Sequence, residues 1–325
     1  MKIPRASCVG RGNVVYYFLR QRETEGHTIT GMLTIDKPGG MTSHTVVNRL
    51  RRIFDQKEVG HGGTLDPMAT GVLPVFLGRG TKAASYVSDD DKTYAARIRL
   101  GITTDTQDIT GTVLTQTNVL PGRDALEAVL PRFTGTLSQT PPMYSAVQVG
   151  GQRLYKLARA GVEIEREARE ITISELAFTD VPEFGEPGTG EYDLRVTCSK
   201  GTFIRTLCAD IGEALGCGAT LAELRRLRTG IFNIADAYTL ERLEEMKTAG
   251  TLAEAVRCCD LLFTELPRLN LTSGNALRIR RGAPVYLHHA PGRVRLYDPD
   301  GAFLGVGIIR KTDRRPELTI EKGMI

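Results

Sequence analysis

The sequence has no tryptophan, and only 6% of its residues are aromatic. No apolar run approaches the ~20 residues that cross a bilayer as a helix, so no membrane association is expected. The six cysteines are Cys8, Cys198, Cys208, Cys217, Cys258 and Cys259. None forms a C-x-x-C pair, and no histidine stands near them at zinc-finger spacing. Free thiols in a reducing compartment account for them better than a disulfide framework. There is no G-x-x-x-x-G-K-[ST] phosphate loop and no H-E-x-x-H, which argues against nucleoside triphosphatases and metalloproteases. No metal and no cofactor is expected. The apolar patch Val14–Leu19 lacks a signal-peptide core and a cleavage site, and the protein is expected in the cytoplasm. Internal repeats and low-complexity segments are absent too.

What is present suits a soluble enzyme. Of 325 residues 41% are hydrophobic and 25% charged, enough for one large domain and a small one. The net charge of +4 fits an RNA partner and an ordinary enzyme equally well.

Residues 1–30 carry Lys2, Arg5, Arg11, Arg20 and Arg22 against Glu23 and Glu25 and read as a loose extension. Leu33–Ile35 reads as a strand, followed by the turn Lys37-Pro38-Gly39-Gly40. Ser43 is placed to cap a helix in which Val46, Val47, Leu50, Ile53 and Phe54 recur at helical spacing. Val72–Leu77 is an apolar strand, and Tyr94–Leu100 alternates as a half-buried one. Leu126–Phe133 has a helical pattern, 171–180 and 191–198 read as strands, and a helix is expected over Phe203–Leu215. Thr220 and Glu223 form a capping box for a second helix that Gly230 ends. The mixture lacks a regular βαβ alternation and predicts an α+β fold with a largely antiparallel sheet. From about Glu265 short β runs follow, at Ala276–Arg280, Val294–Tyr297, Phe303–Ile309 and Leu318–Glu321, with Asp298-Pro299-Asp300-Gly301 as a turn. The expected units are thus 31–264, with an insertion at about 139–169, and a small β-rich domain over 265–325.

Gly60-His61-Gly62-Gly63-Thr64-Leu65-Asp66-Pro67-Met68-Ala69-Thr70-Gly71-Val72-Leu73-Pro74 is the densest chemical signal. Pro67 pushes Asp66 out of the helical region. A free aspartate, with a pKa of about 3.9, is ionised at neutral pH without an activating partner. Asp66 is therefore a candidate nucleophile or base, or an aspartate bonded to its own turn.

The whole string resembles the catalytic motif of TruB-type pseudouridine synthases. Asp36-Lys37-Pro38-Gly39-Gly40-Met41-Thr42-Ser43 is similar to that family's first motif. Asp91-Lys92-Thr93-Tyr94 resembles the segment with its active-site tyrosine, and Pro141–Ala146 the start of its RNA-gripping insertion. Cys198–Thr206 resembles the segment with its active-site arginine, and Gly216–Ala219 and Leu224–Leu227 continue the order. The resemblance implies isomerisation of the uridine at position 55 in the T loop of tRNA to pseudouridine. The N1–C1′ bond breaks, the uracil rotates, and C5 joins C1′. It implies Asp66 as the nucleophile, or as the carboxylate that drives cleavage; attack at C1′, attack at C6 and a glycal route all stay open. Arg205 would pair with Asp66, and Tyr94 would stack on the base and assist proton transfer. Leu224 and Phe203, which stands where many relatives carry Tyr, would line the base. His61 would fill the space of the flipped nucleotide. Lys37 counts among the substrate-binding candidates.

The tRNA T arm is the implied partner, with no obligate protein partner. Arg153, Lys156, Arg159, Arg166 and Arg169, interleaved with Tyr144 and Tyr155, suit a folded RNA loop. The terminal β-rich segment, with Arg278, Arg280, Arg281, Arg293 and Arg295, looks like a PUA-type RNA-binding module. The rival is a tRNA-folding chaperone or plain RNA-binding protein on the same scaffold.

Overall fold

A computed structural model describes residues 28–87, 89–179, 183–313 and 315–324. The basic extension, with Cys8, lies almost wholly outside these residues.

The catalytic-motif half is organised by one sheet. In chain order its elements are β1 (Gly31–Lys37), α1 (Ser43–Ile53), β2 (Val59–His61), β3 (Thr70–Leu77) and β4 (Lys92–Leu100). A hairpin of β5 (Ile102–Thr104) and β6 (Val113–Gln116) precedes α2 (Arg123–Val129) and β7 (Gly135–Gln139). Then come α3 (Leu154–Arg159), β8 (Arg169–Phe178), β9 (Glu191–Cys198), α4 (Ile204–Ala214), β10 (Ala219–Thr229) and α5 (Leu240–Thr248). The strand order is β1-β3-β10-β4-β9-β8-β7, with β2 on the side of β3. Every pairing along this path is antiparallel except β3 with β10, where Thr70 faces Arg225 and Gly71 faces Arg226. That parallel seam runs directly beneath the Asp66 loop. A Cβ on Gly71, whose φ is +95°, would run into the Arg226 carbonyl, so only glycine permits so close an approach.

Two apolar layers cover the sheet. Ile204, Leu207 and Ile211 of α4 pack with Ala96, Ile98, Leu194, Val196, Leu221 and Leu224. Val46, Val47 and Leu50 of α1 and Leu240 and Leu243 of α5 pack with Leu33, Ile35, Leu73 and Val75.

Several local expectations need correction. Residues 219–229 are not a helix but strand β10. Its register shifts at Leu221/Glu223 and at Arg226/Arg228. Each bulge inserts a residue, and the apolar period of two becomes a helix-like three at Leu221, Leu224 and Leu227. Thr220 is buried against Thr104, and Glu223 reaches Arg97 rather than capping anything. Ala276–Arg280 is helical, within a helix over Ser273–Arg280 that Thr272 caps. Its buried residues, Ala276 and Ile279, stand three apart; the apparent alternation came from Arg278 and Arg280. Thr42, not Ser43, caps α1, accepting from the Thr45 N–H at 3.0 Å. Pro131 tightens the end of the 126–133 helix into a 3₁₀ turn.

The C-terminal residues form a second sheet, with β11 (Arg268–Asn270), β12 (Val285–Tyr286), β13 (Gly292–Tyr297), β14 (Phe303–Arg310) and β15 (Glu317–Gly323) in the order β11-β13-β14-β15-β12. It shares a core with the larger sheet. Phe263, Val306 and Met324 pack with Met32, Val72, Phe76 and Val87. The Tyr86 ring meets Phe263 edge-on at 4.8 Å between centroids, and Lys322 donates to the Ser85 hydroxyl at 3.0 Å. A cut before residue 265 would strip this shared core. Phe263, 2% exposed, sits at its centre. Phe263→Ala is expected to cost about 3–5 kcal/mol, with urea unfolding remaining one cooperative transition. A loss below about 1 kcal/mol, or separate transitions in the wild type, would contradict a shared core.

Candidate active site

The Asp66 loop is fastened at nearly every residue. The Leu65 N–H donates to the Ser43 hydroxyl at 2.9 Å, and that hydroxyl reaches the Leu65 carbonyl at 3.2 Å. The Pro67 carbonyl accepts from the Gly40 N–H at 2.9 Å and from Lys37 Nζ at 3.2 Å. The Ala69 N–H closes the turn on the Asp66 carbonyl at 3.1 Å. Leu65 and Ala69 are buried on either side, while the Asp66 side chain stays 42% exposed. The loop thus presents one carboxylate outward from an immobile backbone.

Arg205 meets that carboxylate from below, Nε to Oδ2 at 3.1 Å, with its own side chain 7% exposed. It lies in the first turn of α4. Ahead of it Phe203 is pinned through its backbone by the Gln139 side chain, which accepts the Phe203 N–H at 2.8 Å and donates to its carbonyl at 3.1 Å. Nη1 of Arg205 donates to the Thr106 carbonyl at 3.1 Å and lies 3.5 Å from the Asp108 carboxylate; Nη2 donates to the Tyr144 carbonyl at 2.8 Å. Asp108 is buried, its other oxygen accepting from the Thr110 N–H at 3.0 Å and the Thr106 hydroxyl at 2.9 Å. The guanidinium is therefore held between two carboxylates, one buried and one open.

Tyr94 and Leu224, from neighbouring strands β4 and β10, are buried in the same cluster as Leu65 and Ala69. Burial, the largest influence, pushes the Tyr94 phenol up, opposed by the charge and hydrogen bond of Arg226, so the hydroxyl keeps its proton at neutral pH. His61 ends β2, its Nδ1 accepting from the Gly63 N–H at 3.4 Å. Burial, then Arg226 and His44, lower its pKa, which keeps the imidazole neutral.

Lys37, expected to touch substrate, instead is fully buried. Its ammonium donates to the carbonyls of Pro38 at 2.9 Å, Met41 at 2.7 Å and Pro67 at 3.2 Å. All three protons are committed, so Lys37 fastens the first motif to the Asp66 loop. Asp108 and Arg226 were missed by the sequence reading. Asp108 closes the Thr104–Asp108 string, a row of Thr and Asp between two strands. Arg226 stands in the Leu224–Leu227 motif, but the helix expected for that segment gave it no task.

Burial pushes Lys37 down to about 8, with Asp66 pulling it up and Arg226 adding to the fall. Between about pH 8 and the ordinary lysine value of 10.5 the unfolded chain holds a proton that the folded one lacks, so this group makes stability rise with pH across that window. Lysine ¹³Cε NMR, with Lys37 assigned by substitution, is expected to show it titrating near 8. A Lys37 resonance titrating with the exposed lysines would contradict the burial.

Comparisons with known proteins bear on the family of the chain. The family model for the N-terminal domain of TruB family pseudouridylate synthases matches residues 51–204. Two C-terminal models follow, the tRNA pseudouridylate synthase B C-terminal domain over 205–263 and the C-terminal region of pseudouridine synthase II TruB over 267–314. The tRNA pseudouridine synthase B of Pseudomonas aeruginosa is 44% identical over 88% of this chain and 94% of its own length. That of an Azoarcus species is 45% identical over 92% and 98%. Among solved structures, a Cbf5-Nop10-Gar1 complex aligns with TM-score 0.64 at 24% identity, covering 91% of this chain and 85% of the other. An H/ACA ribonucleoprotein bound to substrate RNA aligns with TM-score 0.66 at 22% identity, covering 99% and 92%. At those identities the structures speak for the fold, and the two sequence comparisons carry the assignment: this chain belongs to the TruB family of pseudouridylate synthases.

Proposed function

We propose that the protein is a cytoplasmic tRNA pseudouridine synthase that isomerises the uridine at position 55 in the T loop. The observation that carries the reading is the Asp66–Arg205 pair, an exposed carboxylate set on a buried guanidinium at 3.1 Å. Asp66 drives cleavage of the N1–C1′ bond as nucleophile or as electrostatic partner. Arg205 fixes its orientation. The uracil, released within the site, turns over the Tyr94 ring with Leu224 and Phe203 as apolar walls. Its C5 bonds to C1′, the C5 proton leaves, and N1 gains a proton, so the atoms balance without an added group.

Uridine inside a folded loop has to be extruded first, at a cost of a few kcal/mol. Neutral His61, beside the loop, suits the vacated stack because a flat uncharged imidazole replaces a base without importing charge. Grip on the T arm is assigned to the insertion, where Arg153 and Arg159 are exposed and Arg159 lies over the Tyr155 ring at 5.6 Å, and to the basic C-terminal sheet. A purely RNA-binding role would need the grip but gives no reason to seat a solvent-facing aspartate on a buried arginine.

The test is an unmodified tRNA transcript mapped by carbodiimide modification and primer extension. Wild type is expected to yield one new pseudouridine, in the T loop. Asp66→Asn is expected to abolish it while tRNA affinity stays near wild type, because phosphate contacts dominate affinity. Turnover by Asp66→Asn near the wild-type single-turnover rate would sink the role given to Asp66.

A further inference from the structure

Arg226 takes no part in the mechanism above, yet it is 2% exposed and lies under the whole site. Its Nε donates to the Val72 carbonyl at 2.7 Å. Nη2 donates to the Gly63 carbonyl at 3.2 Å and Nη1 to the Thr64 carbonyl at 3.5 Å. Gly63 and Thr64 lie immediately upstream of Asp66. On its other side Arg226 faces Tyr94 across the β10–β4 pairing. One planar cation thus binds strand β3 and the base of the Asp66 loop, from a position paired with the strand residue Tyr94.

A second observation concerns its backbone. Arg226 faces Gly71 across the parallel seam, where a Cβ on Gly71 would strike the Arg226 carbonyl. Gly71 lies just downstream of the Asp66 loop. The main chain of Arg226 therefore registers one end of the loop and its side chain the other.

We propose that Arg226 is a positioning residue for the isomerisation, holding the Asp66 loop and the Tyr94 phenol in one fixed frame. It does not touch substrate. It sets the distance between a carboxylate on a loop and a ring on β4, two elements that otherwise meet only through apolar packing. A lysine in its place provides a point donor and cannot span the Gly63, Thr64 and Val72 carbonyls together. This role rests on the pseudouridine synthase reading.

The experiment compares wild type, Arg226→Gln and Arg226→Lys on one unmodified tRNA transcript, with single-turnover rate at saturating enzyme, filter-binding affinity and thermal melting from the same preparations. Misplacement of reacting groups by about 1 Å costs on the order of 100-fold, and that is the drop in rate expected for Arg226→Gln, with affinity and a cooperative melt retained. Arg226→Lys, the variant that keeps the buried charge, is expected to lose about tenfold with affinity likewise retained. A rate within about threefold of wild type in both variants would overturn the proposal. So would loss of rate, affinity and cooperative melting together, which would make Arg226 a residue of the fold alone. If wild type itself forms no pseudouridine, the functional reading fails rather than the role of Arg226.

Discussion

The guanidinium of Arg205 carries five N–H donors in a fixed plane, and at 7% side-chain exposure it has little water to give them to. Its partners must come from the protein, and they come from three separate places. The Asp66 loop supplies a carboxylate, the Thr104–Asp108 segment a carbonyl and a second carboxylate, and Tyr144, near the start of the segment 139–169, another carbonyl. Removing one member of a buried ionic group leaves the others uncompensated at several kcal/mol. The catalytic loop, the β5–β6 hairpin and the insertion are therefore bound to one arrangement around α4.

The same logic recurs on the other side of the loop. Lys37 and Arg226 are buried cations satisfied by loop carbonyls, so three positive charges lie beneath a single outward carboxylate. Such an arrangement is preorganised: the charges and dipoles are already oriented before substrate arrives, and none needs to reorganise during bond cleavage. It also explains the composition of the loop. Glycines admit the close seam at Arg226, and Pro67 offers a carbonyl without a competing N–H.

Much of this was legible in the sequence, but unevenly. The apolar face of α1 gave its helix because the burial period is undisturbed; β4 is a strand as expected, but it is covered on both faces, with Thr93 to Ile98 all buried, rather than half-buried. Strand β10 misled because its two bulges convert a strand period into a helical one. Asp66 stood out through its motif. Asp108 did not, because its role is to compensate Arg205 from far along the chain, and a contact between Arg205 and a residue 97 positions away leaves no local pattern. Lys37 was placed in the right neighbourhood with the wrong task, since a motif marks proximity but not whether three carbonyls already occupy an ammonium. The C-terminal sheet, legible as a β-rich unit, has an apolar cluster of its own around Leu271, Ile279, Val294 and Leu304; strand periodicity gave no sign that Phe263 and Val306 also share a core with Phe76.

The central claim is that Arg205 serves Asp66 and not the RNA backbone. Arg205→Lys tests it most directly, with single-turnover rate and filter-binding affinity measured on one tRNA transcript. Lysine keeps the charge but loses the planar grip on two carboxylates and two carbonyls. The account predicts a strong fall in the rate of the chemical step with tRNA affinity nearly unchanged. A variant that keeps its rate and loses only affinity would place Arg205 on a phosphate and contradict the account.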